Sequence, residues 1–163
     1  IGGGANDFEA AIYYLDNPTA AGTLDVVADR ARGVSAAVIS LNGTASGIGA
    51  VSTSAGASTS LTTTSNDSLV LASTTFDARG GTTVPTATST LSDVIGINNP
   101  YNPGGATHSI ATGSQAVSSS GTAITPTFSG GTNTVAVEFT VIPEPSVALL
   151  GSLGLLALLR RRR

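Results

Sequence analysis

The residue types that carry most enzyme chemistry are scarce in this chain. His108 is its single histidine, set in a Thr/Ser strand after a glycine-rich turn. A general base or a metal ligand needs convergent partners, and none adjoin it in sequence. It reads as a surface or hydrogen-bonded histidine. Gly33-Val34-Ser35-Ala36-Ala37 has the outline of a nucleophile elbow, but it lies inside an apolar run instead of at a strand-to-helix turn. Gly2-Gly3-Gly4 and Gly47-Ile48-Gly49 lack the following helix that a phosphate-binding loop requires. Asp7, Asp16, Asp25, Asp29, Asp67, Asp77 and Asp93 are scattered without EF-hand spacing. The chain has no cysteine, which excludes disulfides and thiolate, cysteine–zinc or iron–sulfur chemistry. No catalytic residue, cofactor or metal site is expected.

Binding chemistry has a few more candidates. Tyr13 and Tyr14 adjoin in a strand-like segment and so point to opposite faces, one toward a core and one outward. Tyr101 sits in an Asn/Pro/Gly loop. A sugar platform usually combines several aromatics, and this chain has seven in total. Asn42-Gly43-Thr44 and Asn66-Asp67-Ser68 match the glycosylation sequon. The Ser/Thr runs at 59–65 and 82–90 are better candidates for O-glycan acceptors, although strand propensity also enriches threonine.

The elements that would hold these residues are short strands between turns. Segments 10–15, 22–28 and 34–41 read as strands, the first stopped by Asp16-Asn17-Pro18 and the last by Asn42-Gly43. Helix over 6–15, with Asp7 near an N-cap, is the rival for the first. Residues 44–57 read as a loop. Residues 58–64 and 68–72 flank Ser65-Asn66-Asp67 as a hairpin. Residues 82–91 read as an edge strand or loop, and Asn98-Asn99-Pro100-Tyr101-Asn102-Pro103 opens a turn cluster. Segments 107–117, 122–128 and 134–141 close the series. In the last, Val135, Val137, Phe139 and Val141 face one way, and Ala136, Glu138 and Thr140 the other. This spacing predicts an all-β, antiparallel β-sandwich over residues 1–142.

Composition agrees. Of 163 residues, 43 are Ser or Thr and 20 are Gly, with 40% hydrophobic, so a core must be built from small aliphatic side chains. Nine carboxylates before Pro143 face only Arg30, Arg32 and Arg79, and there is no lysine. An acidic body without a basic patch excludes nucleic-acid binding.

The last 21 residues differ in kind. Pro143-Glu144-Pro145 ends the final strand, and Ser146 can cap a helix that starts there. Residues 146–159 form an uncharged Leu/Ala-rich helix of about 20 Å, short of the ~30 Å hydrocarbon core. Arg160, Arg161, Arg162 and Arg163 complement the helix C-terminus and hold it on the cytoplasmic side, where snorkelling shortens the gap. The fold class is therefore an all-β sandwich followed by a single C-terminal hydrophobic helix.

The order of proline motif, apolar helix and arginine tail resembles the PEP-CTERM sorting signal of Gram-negative bacteria. The resemblance implies export, a transient inner-membrane anchor, and recognition by exosortase, a membrane cysteine transpeptidase that cleaves near Pro143-Glu144-Pro145. It also implies a cell-surface or extracellular location and an association with exopolysaccharide and biofilm. The body more weakly resembles a β-sandwich recurrent in such surface proteins. The matching stretches are Ile12-Tyr13-Tyr14-Leu15-Asp16-Asn17-Pro18 with Gly22-Thr23 and Val26-Val27, Ser35-Ala36-Ala37-Val38-Ile39-Ser40-Leu41-Asn42-Gly43, Leu61-Thr62-Thr63-Thr64-Ser65-Asn66-Asp67-Ser68-Leu69-Val70 and Val135-Ala136-Val137-Glu138-Phe139. In that family several strands precede the Tyr-Tyr-Leu strand, so this resemblance places the first strands, and an export signal, before Ile1. A structural or adhesive matrix protein is the expectation. A carbohydrate-binding module is the alternative, and an enzyme the third choice.

Overall fold

A computed structural model of the chain describes residues 10–14, 36–41, 45–77, 86–99 and 108–141. These residues form β-strands and turns, and no helix is found among them. Seven strands occur in the order β1 (Ala45–Ser54), β2 (Leu61–Thr62), β3 (Ser68–Asp77), β4 (Ser92–Asn99), β5 (His108–Val117), β6 (Ala123–Ile124) and β7 (Asn133–Val141). Five of them make one antiparallel sheet in the order β1-β7-β3-β5-β4. β2 and β6 pair antiparallel in a second, small sheet. The Ser58–Thr127 bridge continues the β2–β6 register, and Ala87 bridges Phe128 to add the 86–88 segment. The chain thus alternates between the sheets: β1, β2, β3, the 86–88 segment, β4 and β5, β6, β7.

Strand alternation gives the large sheet two buried faces. On one, Val70, Ala72, Ala111 and Ala136 meet Leu61, Ile124 and Phe128 of the second sheet. Small side chains on the sheet leave room for the Phe128 ring, which is almost fully enclosed. Phe128→Ala is expected to cost about 4 kcal/mol, read as a lower urea midpoint, because no neighbour is large enough to refill the cavity. On the opposite face Leu71, Val135, Val137 and Phe139 pack together, with Ala10, Ile12, Ile48 and Leu69 against them. The alternation expected in residues 134–141 is present, yet on its more polar side Ala136 and Glu138 are also buried and Thr140 is half-buried.

Several sequence expectations are corrected. Residues 44–57 are not a loop, since β1 occupies 45–54. A register shift between Ile48 and Val51 sets two β1 residues against Glu138 and breaks the period of 2 that would mark a strand. Residues 58–64 and 68–72 do not pair with each other. β2 pairs with β6, while β3 joins β5 and β7, so the 65–67 corner carries the chain from one sheet to the other. Asp67 takes φ 52° there, a conformation that Asp tolerates. β4 is a strand that the sequence pattern does not mark; it too is bulged, between Ser92 and Ile95, with Asp93 at φ 52°. The bulges interrupt both edge strands, β1 between Ile48 and Val51 and β4 only at its start, in a sheet that has no lysine to protect its edges. Residues 10–14 and 36–41 belong to no strand. The 22–28 segment, Pro100 to Gly105, the 143–159 segment and the arginine tail lie outside the described residues.

Candidate functional site

The residues with the clearest expected roles, Pro143, Glu144, Pro145 and Arg160, Arg161, Arg162 and Arg163, fall outside the described residues, as do Ser35 and Tyr101. Among the described residues, no helix is long and apolar enough to cross a membrane. The same residues contain no group of three His, Cys, Asp or Glu that could hold a metal ion. His108 opens β5, where the backbone register sets it between Asp77 of β3 and Asn99 of β4. Asp77 lies 31 positions before His108 and Asn99 nine, so neither adjoins it in sequence.

The densest polar site is built around Glu138. This residue sits in β7 between Val137 and Phe139 and has no exposed surface. Strand alternation turns its side chain away from the Val137–Phe139 face and toward the second sheet. The β1 bulge brings the Ala50 N–H to its Oε2 at 2.8 Å. From the corner after β2, the Thr64 N–H donates to Oε2 at 2.9 Å and to Oε1 at 3.0 Å. The Thr64 hydroxyl donates to Oε2 at 2.8 Å, and the Ser65 N–H to Oε1 at 3.1 Å. Burial pushes the carboxyl pKa up, but the donors from Ala50, Thr64 and Ser65 outweigh it and hold the group at about 2. The carboxylate is ionised at any neutral pH and its acceptor positions are occupied. It has no proton to give and no basic lone pair to offer, so its chemistry is that of an anchor joining β7, β1 and the β2–β3 corner.

Gly49 makes this anchor fit. A Cβ built there would run into the Glu138 carboxylate and lie 2.7 Å from the Thr64 hydroxyl. A Cβ at Gly47 would likewise meet the Thr140 hydroxyl. The Gly-Ile-Gly sequence is therefore a strand shaped for close side-chain approach and not a phosphate loop.

Threonine supplies many of the other polar contacts, most of them within a sheet or to the turn after β1, with Ser52 and Thr59 linking the two sheets. Thr134 Oγ1 donates to the Gly56 carbonyl at 2.7 Å and also lies 3.1 Å from Thr74 Oγ1, which bonds the Asn133 carbonyl at 2.9 Å. The Ser52 and Thr59 hydroxyls are 2.7 Å apart. Thr63 accepts the Thr122 N–H at 3.1 Å and donates toward the Ser119 carbonyl. The 59–65 run is thus not an open row of acceptors, because Thr59 and Thr63 are buried and Thr64 is bound to Glu138; Ser60 and Thr62 face out. Thr86, Thr88 and Thr90 also face out, while residues 82–85 lie outside the described residues. In the second sequon Asn66 is exposed and accepts the Ser120 N–H at 2.8 Å, whereas Ser68 is buried.

The expected split of the tyrosines, one toward a core and one outward, is not found, because residues 10–14 form no strand that would impose alternation. Tyr13 is 91% exposed. Tyr14 remains mostly exposed and leans edge-on against Phe139, with ring centroids 6.2 Å apart and planes at 79°. Neither enters the core. Compared with protein-family models, curated proteins and solved structures, the chain matches none of them.

Proposed function

We propose that this chain is an exported surface or matrix protein. Its body is an antiparallel β-sandwich of the two sheets, and residues 143–163 are a removable sorting segment read by exosortase. The observation that carries the reading is the order Pro143-Glu144-Pro145, an uncharged Leu/Ala-rich run, and four terminal arginines. Such a run inserts as a helix, the arginines stay on the cytoplasmic side, and the prolines keep the cleavage region extended and open. The body fits a structural or adhesive role in a polysaccharide matrix. Its buried Glu138 carboxylate is an anchor, and the hydroxyls of Thr64, Ser52 and Thr59 help tie one sheet to the other.

The intact mass of the protein from cells and from medium tests this reading. The expected product ends near Pro143 to Pro145. Replacing Pro143, Glu144 and Pro145 together by Ala should leave a chain that extends to Arg163 and fractionates with membranes. A native protein that retains Arg163 overturns the proposal.

A further inference from the structure

Residues 36–41, Ala36-Ala37-Val38-Ile39-Ser40-Leu41, have the composition of a strand without a sheet. They are uncharged, contain no Pro or Gly, and include two β-branched aliphatic residues. The structure places them in no strand, with Val38 82% exposed and Ile39 and Leu41 also exposed. Only residues 42–44 separate this segment from β1, whose outer edge has no partner among the described residues, and an Asn42-Gly43 pair would suit a hairpin. The chain nevertheless leaves the two unpaired. The bulge in β1 explains the mismatch: the Ala50 N–H is turned onto Glu138 and the ladder shifts between Ile48 and Val51.

The other open edge is better suited. β4 pairs with β5 without interruption from Ile95 to Asn99 and has no partner on its far side among the described residues. It exposes Val94 (39%) and Ile95 (47%), and its single charge is Asp93, at the bulged end. We propose that residues 36–41 are a donor strand that adds to the β4 edge of a second copy of this chain. Main-chain hydrogen bonds would supply affinity, and Ile39 or Val38 would cover Ile95 as a cross-strand pair. Each copy carries one such segment and one such edge, so it can give one strand and receive one. Such a head-to-tail contact extends into chains unless its rotation closes a ring.

The absence of native cysteine makes the test direct. Full-length Val38→Cys and Ile95→Cys variants are mixed in mild detergent and oxidised. The expected result is a Val38–Ile95 disulfide between chains, formed roughly tenfold more than the disulfide between Val38→Cys and a Thr62→Cys control. Association through the 143–163 segment would not favour one cysteine pair over the other. Ile39→Lys should abolish the selective cross-link and the concentration-dependent sedimentation while leaving the melting temperature unchanged, because the segment is outside both cores. Equal cross-linking of the two pairs overturns the proposal. So does closure of the disulfide within one chain of a Val38→Cys/Ile95→Cys double variant, or association that Ile39→Lys leaves intact.

Discussion

Glu138→Ala is expected to cost about 4 kcal/mol, because it strands the N–H groups of Ala50, Thr64 and Ser65 without their acceptor. Domain stabilities lie at about 5–15 kcal/mol, so this one change would remove a large part of the total. Glu138→Gln keeps the shape but places an NH2 group opposite N–H donors, and about 2 kcal/mol is expected. Chemical denaturation at neutral pH measures both. A loss below about 1 kcal/mol in Glu138→Ala would mean that water replaces the carboxylate and that the anchor is not structural.

Acid should reproduce part of that loss. The Glu138 carboxyl is held at about 2 in the folded chain, against an ordinary value of 4.5. Because the folded value is the lower one, its contribution is fully present above about pH 4.5 and is lost as the pH falls toward 2. The difference corresponds to about 3 kcal/mol. Stability of the native protein should therefore decline through this window, and the decline should be shallower in Glu138→Gln by about that amount. Parallel pH profiles for the two proteins would rule out Glu138 as its source.

How much of this is legible in the sequence depends on where the hydrogen bonds go. β5 and β7 are readable because each keeps a regular register, whereas the sequence marks only 68–72 of β3, which runs on to Asp77 in ten continuous pairs with β5. β1 is not, because its bulge separates Ile48 from Val51 by three positions and Gly47 and Gly49 look like loop residues. The hairpin expected around Ser65-Asn66-Asp67 fails for a related reason: Thr64 and Ser65 give their N–H groups to a carboxylate 74 and 73 positions away instead of to β3. A local turn signal cannot report such a partner. Glu138 itself leaves one trace, a lone charge flanked by Val137 and Phe139 in a strand whose two faces are both buried. As one polar member of an alternating strand, it points to no site on sequence alone. The aromatic and hydroxyl candidates err in the opposite direction, since residue type alone does not distinguish a hydroxyl that binds outward from one that braces two sheets.

Gly49 is the position where the bulge and the buried carboxylate can be separated. Gly49→Ala puts a methyl group against a carboxylate that four donor groups hold in place, so the clash cannot be relieved by a simple side-chain rotation. Either the bulge opens and loses the Ala50 bond, or the carboxylate withdraws from Thr64; about 3 kcal/mol is expected by either route. In a Glu138→Ala background the carboxylate is gone, the Thr64 hydroxyl it held is free to rotate away, and the new methyl enters the space they leave. The same substitution should then cost less than about 1 kcal/mol, since alanine is no worse than glycine in a strand. The double-mutant cycle thus predicts a coupling of about 2 kcal/mol or more between two residues that are 89 positions apart in sequence. A purely backbone requirement at Gly49, independent of Glu138, would instead make the two losses add. Additive losses would show that the glycine serves the bulge itself, and strong coupling that the bulge exists to seat the carboxylate.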